Sequence, residues 1–245
     1  KRYMFVMWNH GFGWGGTSFD DETGNYISLP QMGLMADAVK AALGRKIDVF
    51  VNEACFMQTA EVAYQLRNSA DIIVGSEEET PGYGLSYNVF LREMSANPKA
   101  SNAVVAGWLI DSYVAHAAAM TEHVRGVEMS AVKASKLGGF KDIVKKWTAL
   151  AIELNDTNAV VRAKEDVFRF NLRLDAADNK GGRLSSPYGD MSEFIRLFTE
   201  NISSDTPAAQ ELRRLGLSLA GCIENDIVIA NGFFDYPEGS YSRTG

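Results

Sequence analysis

The apolar positions in the first part of the chain alternate between short runs and longer amphipathic stretches. Residues 3–8, 47–51 and 71–75 are apolar runs with the length of strands that are buried on both faces. Stretches with apolar residues at helical spacing lie between and after these runs. Ser28 and Pro30 begin one helix, and further helices are predicted over residues 56–67 and 85–95. This order predicts an α/β fold with a mostly parallel sheet and helices on its faces.

The second part of the chain is mainly helical in its pattern. Apolar positions recur at helical spacing over residues 104–124, 140–154, 191–202 and 206–223, and a polar connector with turn signals at Gly181 and Gly182 interrupts them. A strand and a glycine-rich loop are predicted near the end. We therefore expect a core over residues 1–100 and a mainly helical part over residues 101–245 that packs on this core.

Composition narrows the classes of function. The 245 residues are 46% hydrophobic and 22% charged, which is ordinary for a soluble globular protein. The formal net charge of −7 disfavours nucleic acid or an anionic membrane as partner, and no apolar run has the roughly 20 residues of a membrane span. Cys55 and Cys222 are the only cysteines, too few for a disulfide framework or a zinc site.

Two reactive side chains follow two of the predicted strands. His10 comes two residues after the first strand, and Cys55 comes four residues after the second. In open α/β sheets, ligands bind outside the carboxyl ends of the strands. If the two strands are neighbours, imidazole and thiol meet at one edge of the sheet.

Such a pair suits nucleophilic catalysis. A free thiol with a pKa of about 8.5 is mostly protonated at neutral pH, and a nearby imidazole or a helix N-terminus lowers that pKa. Cys55 is predicted to open the helix over residues 56–67, so the helix dipole would favour the thiolate. The N–H groups of Gly11 and Cys55 could form an oxyanion hole.

Structural interpretations remain open for the same residues. A lone buried cysteine is usually a small hydrophobic group, and a lone histidine is usually a satisfied polar group. His116 and His123 are interpreted as surface or packing residues, and no metal site is predicted. The segment GFGWGG is glycine-rich, but it lacks the Gly-Lys-Ser/Thr ending of a phosphate-binding loop.

The sequence resembles the clostripain-like cysteine peptidases, family C11 of the caspase-like clan. The resemblance rests on YMFVMWNHGFGW (residues 3–14), on IDVFVNEACFMQTAEVAYQLRNSADIIVGSEEETPGYGLSY (residues 47–87) and, more weakly, on the tail from DY to SYSR. It implies a caspase-like three-layer αβα sandwich with a catalytic dyad of His10 and Cys55. It also implies an endopeptidase that cuts after arginine or lysine and is activated by autoproteolysis.

The resemblance extends to setting and partners. Members of the family are typically bacterial proteins that are secreted, periplasmic or exposed at the cell surface. Some need calcium, although the sequence itself requires no cofactor. The expected partners are a peptide or protein substrate and a separate N-terminal light chain, since a caspase-like sheet needs strands before the one that precedes His10.

Departures from the family pattern concern the substrate pocket. Glu53 stands where the family usually has the aspartate that pairs with a basic P1 side chain, so a shallower pocket is expected. Tyr83 replaces a second acid that several members carry, and Leu85 replaces the usual tryptophan. Ser76, Glu77 and Tyr83 join Glu53 as the expected substrate-binding residues, although a solvated loop is the favoured interpretation of Glu77, Glu78 and Glu79.

The processing loop also departs from the family. The segment GTSFDDETGNY contains no lysine or arginine, so self-cleavage after a basic residue is expected elsewhere or not at all. Two alternatives therefore stay open. One is a cysteine peptidase of the same fold with a non-basic P1 preference, and the other is a catalytically silent scaffold or binding protein.

Overall fold

A computed structural model describes residues 1–120, 127–171 and 185–234. The chain divides into two compact units, one formed by Lys1–Ser135 with the described residues from Val228 onward, the other by Lys136–Ile227. The described strands are β1 (Met4–Trp8), β2 (Ile47–Glu53), β3 (Ala70–Gly75), β4 (Val127–Lys133), β5 (Arg169–Asn171), β6 (Ser185–Gly189) and β7 (Val228–Phe234). The described α-helices are α1 (Leu29–Leu43), α2 (Ala60–Leu66), α3 (Tyr87–Ala96), α4 (Asn102–Ala119), α5 (Leu137–Leu154), α6 (Thr157–Asp166), α7 (Met191–Asn201) and α8 (Pro207–Cys222).

The first unit is built on a five-stranded sheet with the order β1-β2-β3-β4-β7. β1, β2 and β3 run parallel, whereas β4 and β7 join antiparallel. The α/β class is confirmed, and the sheet is mixed. The parallel part is the part that the sequence predicts, and α1 and α2 connect its successive strands there.

Helices cover both faces of this sheet. Val51 and Val74 pack with α3 and α4, where Phe90 and Tyr113 are almost completely buried. Phe50 alternates with Val51 along β2 and therefore points to the opposite face, where α1 and α2 contact the strands. The first unit thus has the three layers expected of an αβα sandwich.

Local signals explain where α1 begins and ends. Ser28 and Gln31 form a capping box, Pro30 occupies the first turn, and Gly44 ends the helix in the left-handed conformation with φ 68°. The prediction from Ser28 and Pro30 is confirmed.

The second unit consists of α5 to α8 and a small antiparallel pair, β5 with β6. Trp147 and Phe198 meet edge to face in its core, with ring centroids 5.3 Å apart. Gly216 lies where a Cβ would be 2.3 Å from Thr199 Oγ1 and 3.1 Å from Trp147 Nε1. The close approach of α8 to its neighbours therefore depends on this glycine.

Several predicted elements differ from the structure. The helix expected over residues 56–67 begins only at Ala60, after a turn. The helix expected over 104–124 ends at Ala119, and the rest of that prediction lies largely outside the described residues. β4 and α6 were not predicted. The compact units also divide the chain elsewhere than at residue 100, because α4, β4 and β7 complete the sheet unit.

Candidate active site

The tips of β1 and β2 lie side by side at the carboxyl edge of the parallel strands. Their register pairs Trp8 with Glu53, the last residue of each strand. His10 and Cys55 each follow by two residues, so they occupy equivalent positions on neighbouring strand tips. The condition on which the sequence prediction depended, that the two strands are neighbours, is met.

The loops beyond the two tips touch at Gly11. A Cβ at Gly11 would lie 2.5 Å from the Cys55 carbonyl oxygen and 2.5 Å from Met57 Cγ. Real Cβ atoms do not come this close, so only glycine fits. The structure therefore brings the His-Gly segment against the cysteine turn. The oxyanion hole proposed for the N–H groups of Gly11 and Cys55 stays a prediction.

Backbone hydrogen bonds hold His10 at its strand tip. The carbonyl of His10 accepts hydrogen bonds from Thr17 Oγ1 and from the Ser18 N–H, both 2.9 Å long. Ser18 takes a positive φ of 57° to make this contact. The His10 residue itself is exposed, so its ring is accessible from solvent.

Cys55 lies in a turn between β2 and α2, before the helix starts. Phe56, the next residue, has a positive φ of 57°, which costs a non-glycine residue on the order of 1–2 kcal/mol. Such strain persists only where the surroundings enforce it. Three hydrogen bonds do so: Phe56 N–H to the Glu78 carbonyl (3.1 Å), Gln58 N–H to the Ser76 carbonyl (3.1 Å), and Asn52 Nδ2 to the Met57 carbonyl (3.2 Å).

The surroundings of the thiol differ from the prediction. Because α2 begins five residues later, Cys55 does not open a helix, and the predicted dipole effect is wrong. The Thr80 N–H donates to Cys55 Sγ at 3.2 Å instead. Burial raises the pKa of the thiol above its ordinary value, this N–H lowers it, and the charges of Glu79 and Glu78 raise it; the net direction is upward.

Glu53 is buried and already has two partners. Its side chain is only 4% exposed, and its oxygens accept hydrogen bonds from the Leu85 N–H at 2.8 Å and from the Tyr87 hydroxyl. Burial and this hydrogen bond raise the pKa of Tyr87. Gly84, with φ 66°, leaves room for the carboxylate. The carboxylate thus anchors the loop before α3, and its expected role toward a P1 side chain stays a prediction.

The other expected substrate-binding residues lie in the segment after β3. Ser76 is fully buried, and its hydroxyl donates to the Glu78 carbonyl and accepts from the Glu78 N–H, each at 3.0 Å. Its side chain therefore supports the loop from within. Tyr83 packs edge to face on His116, with ring centroids 4.8 Å apart, which agrees with a packing role for that histidine.

Glu77 leads to a residue that the sequence interpretation missed. The Glu77 N–H donates to Glu128 Oε2 at 2.8 Å, and Glu128 is fully buried. It lies near the start of β4, beside the same edge of the sheet as Cys55. Val127, Met129 and Ala131 alternate with polar residues there, a period-two signal that could have revealed the strand but not the burial of its acid.

Neither a metal centre nor a membrane span is found in the described parts of the chain. No group of three or more histidine, cysteine, aspartate or glutamate side chains among those residues could hold a metal ion. The calcium requirement that the resemblance allows stays a prediction. None of their helices has both the length and the apolar character that crossing a bilayer requires.

A family comparison agrees with this geometry. The model of the peptidase C11 family, described as the clostripain family, matches residues 1–207. The chain belongs to the clostripain family. A search among curated proteins gives no match.

Solved structures of clostripain-family proteases share the fold. A secreted C11 cysteine protease from Bacteroides thetaiotaomicron, in complex with an irreversible peptide inhibitor, is 22% identical with a TM-score of 0.59, over 96% of this chain and 58% of that one. An inactive zymogen C11 protease from Parabacteroides distasonis is 17% identical with a TM-score of 0.54, over 99% and 61%. The chain thus spans about three fifths of these two proteins.

A third structure contains an inhibitor whose peptide sequence is given. It is a clostripain from Bacteroides thetaiotaomicron ATCC 29148 in complex with the peptide inhibitor BTN-VLTK-AOMK, 15% identical with a TM-score of 0.50, over 91% of this chain and 80% of that one. At these identities, the three likenesses show the caspase-like fold and nothing further.

Proposed function

We propose that the chain is part of a cysteine endopeptidase in which His10 and Cys55 form the catalytic dyad. The observation that carries this proposal is the pairing of Trp8 with Glu53, which sets the two residues at equivalent positions on adjacent strand tips. Contact of Gly11 with the Cys55 carbonyl supports it. Membership of the clostripain family supports the reaction class.

The reaction has two covalent steps. His10 takes the proton of the Cys55 thiol, the thiolate attacks the scissile carbonyl carbon, and the N–H groups of Gly11 and Cys55 stabilise the resulting oxyanion. His10 protonates the leaving amine as the peptide bond breaks, which leaves a thioester on Cys55. His10 then takes a proton from water, the hydroxide attacks the thioester, and the acid product departs as the thiolate is restored.

We propose a basic P1 preference, arginine before lysine, with Glu53 as the recognition residue. Arginine can form a bidentate pair with a carboxylate, which lysine cannot. The inhibitor of the related clostripain, whose peptide ends in lysine, supports a basic preference for the family fold.

One observation favours a non-basic P1 preference as the second candidate. The Glu53 carboxylate is buried and already accepts hydrogen bonds from Leu85 and Tyr87, so a substrate cation would have to share it. Tyr83, which occupies the place of a second acid, supplies no charge.

A matched peptide panel with Arg, Lys, Leu, Ala and Asp at P1 tests both candidates. The panel is run on the wild type, Cys55→Ala and Glu53→Gln, because glutamine keeps the shape of Glu53 and removes its charge. Cleavage after Arg or Lys that disappears in Cys55→Ala and falls at least about tenfold in Glu53→Gln supports the first candidate. Cleavage only after an apolar residue supports the second, and turnover that persists in Cys55→Ala contradicts the mechanism.

The biological setting is proposed from the family. We infer secretion or surface exposure in a bacterium, since similar structures include secreted C11 proteases, and activation from a zymogen, since one of them is an inactive zymogen. A separate light chain would supply further strands, and calcium would be an activator. Running the panel with calcium and with a chelator tests the last point, because equal rates would remove calcium from the proposal.

A further inference from the structure

A buried carboxylate on β4 reaches the nucleophile through a short backbone segment. Resting on the proposed cysteine peptidase function, we propose that Glu128 is a positioning residue: it anchors residues 76–80, and this segment holds Cys55 in place through the Thr80 N–H. Glu128 itself does not touch the reacting atoms.

The first link joins β4 to the segment. β3 and β4 pair Gly75 with Ser130, and continuing this antiparallel register brings Glu77 opposite Glu128. Glu128 Oε2 accepts the Glu77 N–H at 2.8 Å, and the side chain is fully buried. A buried carboxylate is costly unless hydrogen bonds stabilise it, and charge-assisted bonds of this kind are the stronger ones. The anchor is therefore stiff.

The second link stiffens the segment itself. The Ser76 hydroxyl bonds both the N–H and the carbonyl of Glu78. The carbonyls of Ser76 and Glu78 in turn accept the N–H groups of Gln58 and Phe56, on either side of Met57. The segment and the cysteine turn are thus bonded at two points, which enforces the positive φ of Phe56.

The third link reaches the sulfur. The Thr80 N–H donates to Cys55 Sγ at 3.2 Å. This donor stabilises a thiolate more than a thiol, since a hydrogen bond to the charged form favours that form. The position of the Thr80 amide depends on the segment, and the segment depends on Glu128.

Several charged or titratable groups surround the thiol. The direction in which its pKa moves therefore distinguishes the loss of a charge from the loss of a hydrogen-bond donor. Glu78 and Glu79 face it from the segment and Tyr113 faces it from α4, while His10 is expected from the loop after β1. Glu128 on β4 lies behind the segment and contacts the Glu77 N–H. Removing the negative charge of Glu128 alone would make the thiolate easier to form. Losing the Thr80 donor would make the thiolate harder to form.

Glu128→Gln and Glu128→Leu separate these two effects. Glutamine keeps an oxygen that can accept the Glu77 N–H, whereas leucine does not. The measurement is the rate of Cys55 alkylation by iodoacetamide from pH 5.5 to 10.5, followed by mass spectrometry, with Cys222 of the same chain as reference. This readout needs no peptide turnover, so it remains informative if the peptidase proposal fails.

We expect the midpoint of Cys55 alkylation to stay or fall in Glu128→Gln and to rise by about one pH unit in Glu128→Leu. Alkylation well below the midpoint would then be about tenfold slower in the leucine variant. Ser76→Ala, which changes no charge, should raise the midpoint too, and it decides the matter if the leucine variant does not fold. Two results would overturn the proposal. The first is a midpoint of Cys55 alkylation that falls in both Glu128 variants. The second is a midpoint that stays unchanged in Glu128→Leu or, if that variant does not fold, in Ser76→Ala.

Discussion

Gly11 lies against the carbonyl of Cys55 so closely that a Cβ would be 2.5 Å from that oxygen. The contact joins the loop after β1 to the turn after β2, and it supports the proposed pairing of His10 with Cys55. That oxygen belongs to the backbone, so rotating a side chain cannot relieve the clash with it.

Gly11→Ala should therefore disrupt the site. The added methyl group must push the two loops apart, and we expect a loss of about 1–3 kcal/mol in the free energy of unfolding. Peptide turnover should fall by at least about tenfold, because small displacements of reacting groups are costly. Urea unfolding and steady-state kinetics measure the two effects. Gly107→Ala is the control, because nothing lies within 4 Å of the added Cβ. Gly24→Ala is unsuitable, because its φ of 70° strains any residue other than glycine.

Glu53 should be a stability residue as well as a candidate recognition residue. Glu53→Ala leaves the buried Leu85 N–H without its acceptor, which costs about 1–3 kcal/mol, and it also removes the acceptor of the Tyr87 hydroxyl on a more exposed residue. Glu53→Gln retains an acceptor and should unfold close to wild type. Equal stability of the alanine variant and the wild type in urea would show that these two bonds do not hold the loop.

The acids beside Cys55 should set the pH dependence of its reactivity. The charges of Glu79 and Glu78 raise the pKa of the thiol, so Glu79→Gln should lower that pKa. The alkylation midpoint of Cys55 then moves to lower pH, and the rate at neutral pH rises. Glu165→Gln, an exposed acid in the second unit, is the matched control. A midpoint that moves upward in Glu79→Gln would contradict the electrostatic account.

Alanine variants of two glycines in the second unit test packing separately from peptidase activity. Gly216→Ala places a methyl group 2.3 Å from Thr199 Oγ1, so we expect about 1–3 kcal/mol of destabilisation. Gly139→Ala in α5 has nothing within 4 Å and should stabilise the helix by roughly 0.5–1 kcal/mol. Thermal melting of both variants checks the difference in sign.

Much of the parallel core could be predicted because its signals are local. The apolar runs of β1 to β3 and the Ser28–Pro30 start of α1 specify their elements without help from distant residues. The order of the elements favours β1 and β2 as neighbours, whereas the register that pairs Trp8 with Glu53 is seen only in the structure. Parallel strands with helical crossovers leave few alternative arrangements.

The missed features depend on distant contacts. β4 carries Glu128 and Ser130 at buried positions, and no periodicity in a single segment shows that a neighbouring loop will satisfy them. α2 begins later than the sequence predicts, because Phe56 and Gln58 donate to the segment after β3 instead of continuing a helix. The internal partners of Glu53 are likewise visible only in three dimensions.

The most direct test of the central claim compares the two cysteines of one chain. Cys55 and Cys222 are both free and partly exposed, and burial raises the pKa of both thiols. If His10 and Cys55 act as a dyad, iodoacetamide at pH 7 should label Cys55 faster than Cys222. His10→Ala should then slow labelling of Cys55 by about tenfold or more and leave Cys222 unchanged. An unchanged Cys55 rate in His10→Ala would contradict the dyad.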